Sequence, residues 1–331
     1  MSEQREVVIL SGVRTAIGDY GGSLKDIAPT ELAARVVKEA VSRAKVDPND
    51  IGQCVFGNVL HGEPKDMYLS RVACVNGGLP HGTGALTDPF DTIHMGVTAE
   101  NVAARCGISR EQQDAFAVES HKRAAAAIAA GHFKSQILPI ELKSKKGPLQ
   151  FDTDEHVRGD ATIEGMAKLK AVFIKENGSV TAGNASGIND AAAAVVLMEK
   201  SAAAKKGLKP MARLVAYGHA GVDPKIMGLG PVGAVPRALA KAGLKLDQMD
   251  VIESNEAFAA QALGVSKEVG MNAAKVNPNG GAIALGHPIG ATGCLLTVKA
   301  MYELQRTGGR YGLVTMCIGG GQGIAAVIER M

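Results

Sequence analysis

Apolar residues recur in two rhythms along this chain. Near its start "EVVILSGVR" (residues 6–14) is a short, nearly continuous apolar run, which predicts a strand, and "TELAARVVKEAVSRAKV" (30–46) repeats apolar residues at helical spacing behind Thr30. "IGQCVFGNVL" (51–60) reads as a strand again, so the segment predicts an α/β unit. The same succession begins afresh near Met211: "ARLVAYGHA" is strand-like, "PVGAVPRALAKAGL" is a helix ended by Gly243, and "DVIESN" is strand-like. "SRAKVDPNDIGQCVFGN" and "AKAGLKLDQMDVIESN" align with a one-residue offset, which points to an internal duplication; chance likeness between two α/β units is the alternative.

The two halves then part company. After Val276 the second continues through a Gly-rich turn, a helix and a final strand pair, "NPNGGAIALGHPIGATGCLLTVKAMYELQ" and "YGLVTMCIGGGQGIAAVIER". The first half passes from helix-like "MYLSRVACVNGG" through "LPHGTGALT" straight into "DPFDTIHMG", so by the internal symmetry a turn, a helix and at least one strand are missing there. Between the halves, "SREQQDAFAVESHKRAAAAIAAGHF" predicts a helix whose Ser109 and Gln112 form a capping box. "FKSQILPIEL" and "GSVTAGNASGINDAAAAVVLME" complete an inserted subdomain, giving expected boundaries at 1–93, 94–210 and 211–331.

Composition narrows the function. At 331 residues the chain is long for one core, and its formal charge of +3, from 36 basic and 33 acidic residues, is not concentrated in basic runs with interleaved aromatics; a small-molecule partner is expected rather than a nucleic acid. Five cysteines, at positions 54, 74, 106, 294 and 317, form no C-x-x-C pair and fit neither a disulfide framework nor a zinc site, so no metal is expected. No apolar run approaches the ~20 residues of a membrane-spanning helix. The start reads as a first strand rather than a signal peptide, and a cytoplasmic location is expected.

Three stretches carry candidate chemistry. "MCIGGGQG" invites a dinucleotide-binding reading, but a phosphate-binding glycine loop needs a following helix, whereas "IAAVIERM" is strand-like. A glycine hairpin remains, with Cys317 at a strand end beside backbone amides that can approach a ligand; a merely buried cysteine is the bland alternative. In "GGAIALGHPIGATG" His287 is fixed between Gly286 and Pro288, placed to move protons or simply to sit on a surface loop. In "ESNEAFAAQA" Asn255 and Glu256 close a strand where Phe258 begins a helix, at the sheet edge where α/β sites collect; Asn255 as a helix cap is the alternative.

Together, "VVILSGVRTAIGDYGGSLKD", "IHMGVTAENVA", "TAGNASGINDAAAA", "NEAFAAQA", "NPNGGAIALGHPIGATG" and "CIGGGQG" resemble the thiolase family over nearly the whole chain, most closely bacterial β-ketothiolases. The resemblance implies a five-layered αβαβα fold of two related halves, the first of them incomplete, and an acyltransferase acting on 3-oxoacyl-CoA and acetyl-CoA. Coenzyme A and acyl-CoA are then substrates, with no permanently bound cofactor, and a homodimer or homotetramer is implied. By motif position Cys317 matches the cysteine that moves the α-proton, and His287 the residue that activates the nucleophile and helps bind the thioester oxygen. Asn255 matches the holder of a water for that oxyanion site, and the Gly319 amide a second oxyanion donor. Ser186, Phe173, His94, Met95 and Phe258 match the pantetheine and acyl pocket, and Arg158 the nucleotide end of coenzyme A.

One departure is specific. The family's acyl-carrying cysteine lies in a C-G-S-G turn at a helix N-terminus, where the dipole helps depress a thiol pKa from about 8.5. Here the thirteen residues from His81 to Ile93, where it would fall, contain no cysteine. Cys54 and Cys74 lack following glycine amides, and Cys106 and Cys294 read as helix packing. Two expectations follow: a thiolase-type acyltransferase impaired by a shortened first half, or a CoA-ester binding or assembly subunit without turnover. A nicotinamide-dependent dehydrogenase is a distant third.

Overall fold

A computed structural model describes residues 5–51, 55–58, 93–143 and 147–331. The first strand, β1 (Val7–Thr15), is buried along almost its whole length and has different partners along its two edges. One edge pairs antiparallel with β5 (Ala193–Glu199). The other meets β6 (Ala212–Gly221) at Val7–Ile9 and short β2 (Ile137–Leu138) at Arg14 and Thr15. From β6 the sheet runs on through β9 (Gln322–Arg330) and β8 (Tyr311–Ile318) to β7 (Val251–Ser254). A separate hairpin joins β3 (Ile140–Leu142) to β4 (Leu149–Phe151).

The helices create layers. α1 (Pro29–Ala44) starts on Pro29 at its first turn and ends at Lys45 in a left-handed conformation. Its Leu32, Val36 and Ala40 pack on Val8 and Leu10 of β1. The opposite face of β1 presents Ile9 to the long helix of residues Thr292–Thr307, where Leu296, Ala300, Met301 and Leu304 also cover Val314 and Ile328 of β8 and β9. That helix therefore lies between the strands of the two halves. Beyond the second half, the helix Gly230–Ala242 sets Ala234, Val235 and Ala238 on Leu313, Ala325 and Val327. The order is helix, sheet, helix, sheet, helix. The close fit of that outer helix needs a glycine at 218, where a Cβ would come within 2.6 Å of the Ala238 nitrogen.

In chain order the remaining helices are α2 (Met95–Cys106), α3 (Arg110–Ala129), α4 (Ile163–Ala167), α5 (Lys200–Lys205), α6 (Gly230–Ala242 itself), α7 (Ala259–Val269), α8 (Ala282–Leu285) and α9 (Thr292–Thr307, the middle layer). Ser109 and Gln112 form the expected capping box on α3, and Gly243 ends α6 at φ 66°. Of the strand expected at 51–60, the described residues 55–58 hold only a bridge at Asn58; the rest, the helix expected around 67–78, Cys54 and Cys74 lie outside the described residues. The inserted segment is tied to the first half by a fully buried ion pair: Arg14 donates to both Asp154 oxygens at 2.7 and 2.9 Å and stacks over Phe133. Among the described residues no helix is long and apolar enough to cross a membrane.

Candidate active site

β7 and β8 run parallel, with Ser254 beside Thr315, so both deliver their C-terminal ends to one edge. Asn255 follows β7 and is anchored by its own amide, which donates to Thr315 O at 3.0 Å; Cys317 lies two residues further along β8. The turn after Cys317 is glycine because Gly320 and Gly321 both take positive φ, 77° and 81°; Gly319 opens it, half-buried. It is a hairpin into β9, as the sequence pattern predicts. Asn255 is not a helix cap: Phe258 occupies the position before α7 and no side chain caps that helix.

His287 arrives from the loop between α8 and α9. Its main-chain amide donates to Asn189 Oδ1 at 3.0 Å, and its Nδ1 lies 2.7 Å from Thr292 Oγ1. The Thr292 hydroxyl spends its single proton on Pro288 O at 3.0 Å, so it can only accept from His287, which fixes the proton on Nδ1. Nε2 is left with its lone pair and receives the Asn255 Nδ2 amide at 3.3 Å. Burial pushes the imidazole pKa down to about 4, so the ring is neutral at pH 7. Among the described residues the buried Asn255 Oδ1 has no hydrogen-bond partner. Nothing in sequence spacing alone marks Thr292, the residue that sets this tautomer, beyond its place five residues after the histidine at the helix start.

Cys317 is buried in one cluster with Met95 and Met227, against which Phe258 packs. Desolvation pushes its thiol up to about 11, so it holds its proton at pH 7. His94 caps α2 by accepting the Gly96 amide on Nδ1 at 3.0 Å and stacks on Phe173 at 4.8 Å. Phe173 in turn meets Phe258 edge-on at 6.1 Å. Glu100 fixes the loop that carries Phe173, its carboxylate accepting from the amides of Ser179 and Val180 and from the Ser179 hydroxyl. Ser186 donates its hydroxyl and its amide to Ala257 O, so it joins the same wall.

Arg158 sits apart from the apolar cluster, with its side chain 57 % exposed. It reaches Asp19 at 3.3 Å, and Asp19 also receives His156 at 2.5 Å and Asn189 at 3.4 Å. A polar path thus runs Arg158–Asp19–Asn189–His287. Cys106 and Cys294 are in helices, Cys294 raised to about 12 by burial, which suits packing and not nucleophilic attack. Glu256 was placed by sequence only at a strand end; its carboxylate accepts from Ser120 Oγ, Asn277 Nδ2 and the Ile283 amide, bracing the loop before His287 from beneath. Among the described residues there is no cluster of metal-ligating side chains.

Comparison with known proteins matches residues 7–87 and 82–201 to the family model "Thiolase, N-terminal domain" and residues 208–330 to "Thiolase, C-terminal domain". Beta-ketothiolase BktB of Cupriavidus necator is 56% identical over 392 aligned positions, covering 99% of this chain and 100% of that protein. Since this chain has 331 residues, at least 61 of those 392 positions have no counterpart in it. The acetyl-CoA acetyltransferase of Bacillus anthracis superposes with a TM-score of 0.95 at 38% identity, over 100% of both chains. Human mitochondrial 3-ketoacyl-CoA thiolase in complex with CoA gives 0.93 at 37%, covering 99% of this chain and 98% of that one.

Proposed function

The chain belongs to the thiolase family, and from that premise we propose that it is built as an acyl-CoA C-acyltransferase, for thiolysis of 3-oxoacyl-CoA or condensation of acetyl-CoA with acyl-CoA, in which acyl transfer is impaired. The observation that carries the reading is the meeting of the Asn255–His287 pair with the β7 and β8 strand ends that deliver Cys317, beside the wall of Met95, Phe173 and Phe258. In this reading the thioester carbonyl faces Asn255 and His287. The Nε2 lone pair can take a proton, and the resulting N–H can then donate to the oxygen as negative charge develops there. Cys317 moves the α-proton: its thiol is the donor form, and deprotonation allows it to act as the base. Met95, Phe173, Phe258, His94 and Ser186 line the acyl and pantetheine channel, and Arg158 faces the nucleotide end of coenzyme A.

The impairment follows from chemistry. With no cysteine between His81 and Ile93, no thiolate holds the acyl group between the two half-reactions, and loss of one member of a cooperative set costs factors of about 10⁴ to 10⁶. Exchange of the α-proton needs only the residues present. The test is therefore twofold: thiolysis of acetoacetyl-CoA, and incorporation of solvent deuterium into the acetyl group of acetyl-CoA. Exchange abolished by Cys317→Ala, with thiolysis at or near background, is the expected pair of results; no exchange above that variant would overturn the assignment of Cys317.

The second reading, a CoA-ester binding or assembly subunit without turnover, is favoured by the same missing cysteine and predicts CoA binding with neither activity. We further propose the division 1–93, 94–210 and 211–331, cytoplasmic residence, and a homodimer or homotetramer weakened by the shortened first half.

A further inference from the structure

The two halves can be laid on each other strand by strand. β1 pairs antiparallel with β5 as β6 does with β9, and α1 covers the first pair as α6 covers the second. Past β9 the second half adds β8, and α6 extends over it; past β5, among the described residues, nothing is paired. A cavity of about 1000 Å³ lies at this place. Its walls are β5 from Ala193 to Met198, the inner face of α1 at Ala33, Val37 and Val41, and the start of α9 at Ala291 and Cys294. On the face of β5 that looks toward the middle layer, Val195 packs against the α9 cluster, but Leu197, two residues on, is 52% exposed. Ile328 of β9, on the corresponding face of the second half, is 1% exposed.

By this symmetry the missing parts are a strand equivalent to β8, beside β5, and a helix equivalent to α9, beside α9. The positions without counterpart in the ketothiolase alignment, at least 61, are enough for both, and the two matched pieces of the N-terminal family model, 7–87 and 82–201, meet in the first half. We propose that the cavity along β5 is a docking site for the strand-and-helix segment of a complete thiolase chain, which adds a strand to the β5 edge left unpaired among the described residues and lays an apolar helix face over Leu197 and the first turns of α9. Main-chain hydrogen bonds to the strand edge would supply affinity, and the apolar pocket the register. The inference rests on the thiolase reading of the chain, but its binding step does not require turnover.

The probe is the segment of the Cupriavidus necator ketothiolase that lacks a counterpart here, carried on a soluble fusion partner, with the carrier alone as control. Hydrogen exchange should slow at least tenfold, when the probe is added, at those amides of Ala193–Glu199 that point away from β1, and saturable binding should weaken at least tenfold in Leu197→Lys, an exposed substitution that leaves the melting temperature unchanged. Absence of saturable binding overturns the proposal. So does binding that spares β5 or ignores Leu197→Lys, and so do β5 amides on the edge away from β1 that are already protected in the chain alone, or protected only as its own concentration rises. Docking as expected, without any gain of acetoacetyl-CoA thiolysis, keeps the surface and sinks the catalytic reading instead.

Discussion

Replacing Thr292 by valine tests the tautomer of His287 directly. The threonine is 2% exposed, and its hydroxyl is both the acceptor for Nδ1–H and a donor to Pro288 O. Valine keeps the shape and offers neither. Leaving the Nδ1 donor unsatisfied costs about 1–3 kcal/mol, whereas the added methyl returns at most about 0.8 kcal/mol on burial. A net tilt of about 1.4 kcal/mol changes the ratio of the two imidazole tautomers roughly tenfold, toward a proton on Nε2. That form confronts the Asn255 Nδ2 amide with a second donor, so the 3.3 Å contact must open. Nitrogen-15 NMR of the histidine-labelled protein at pH 7 reads the tautomer. The parent should show a protonated Nδ1 and a bare Nε2, and the variant a mixture or a reversal, with a lower urea midpoint and slower acetyl-CoA deuterium exchange. A parent ring protonated on Nε2, or a variant indistinguishable from it by NMR and midpoint, would refute the hydrogen-bond reasoning.

Other outcomes follow from the same geometry. The pKa values of His287 and His121 are both lowered to about 4 by burial, so the unfolded chain binds more protons between roughly pH 6.5 and 4; stability should be full above that window and fall through it, by up to about 3 kcal/mol per histidine, in urea titrations across pH. If His287→Gln together with His121→Gln leaves that slope unchanged, the assignment fails. Arg14→Met strands the fully buried Asp154 carboxylate and should destabilise by about 3–5 kcal/mol in chemical denaturation, whereas the double change Arg14→Met with Asp154→Leu should recover much of it. Phe173→Ala removes the ring between His94 and Phe258 and should raise the Kd for acetyl-CoA at least fivefold by calorimetry; unchanged affinity would separate that ring from the acyl channel.

How much of this was legible beforehand depended on what each residue must satisfy. The strand–helix–strand repeats were written in apolar spacing, and Gly243 and the Ser109–Gln112 box marked helix ends because those tasks need particular local chemistry. The glycine hairpin after Cys317 was legible for the same reason, since a helix is required for the competing phosphate-loop reading and the chain supplies a strand. What periodicity could not give was long-range polar pairing. Glu256 under the His287 loop, Glu100 on the Ser179 loop and Arg14 on Asp154 join residues 27, 79 and 140 positions apart, where no local rule operates. The roles proposed for His287, Cys317 and Asn255 rest on resemblance, and the contact between His287 and Asn255, 32 positions apart, emerged only from the fold.

The same pairings explain why a shortened first half leaves the site framework standing. Asn255 is held by β8, His287 by Asn189 and Thr292, and the loop ahead of His287 by Glu256, whose partners Ser120, Asn277 and Ile283 lie in α3 and the second half. Even the aromatic wall depends on α2 and the inserted loop, through Glu100. Of the first half, Gly18 and Asp19, three and four residues past the end of β1, meet Asn189, and Gly57 lies against Gly290 in the loop after His287. On the proposed reading, proton chemistry at Cys317 and acyl transfer through a first-half cysteine would thus depend on different parts of the chain. That separation is why deuterium exchange and thiolysis, measured on one preparation, are expected to give opposite answers.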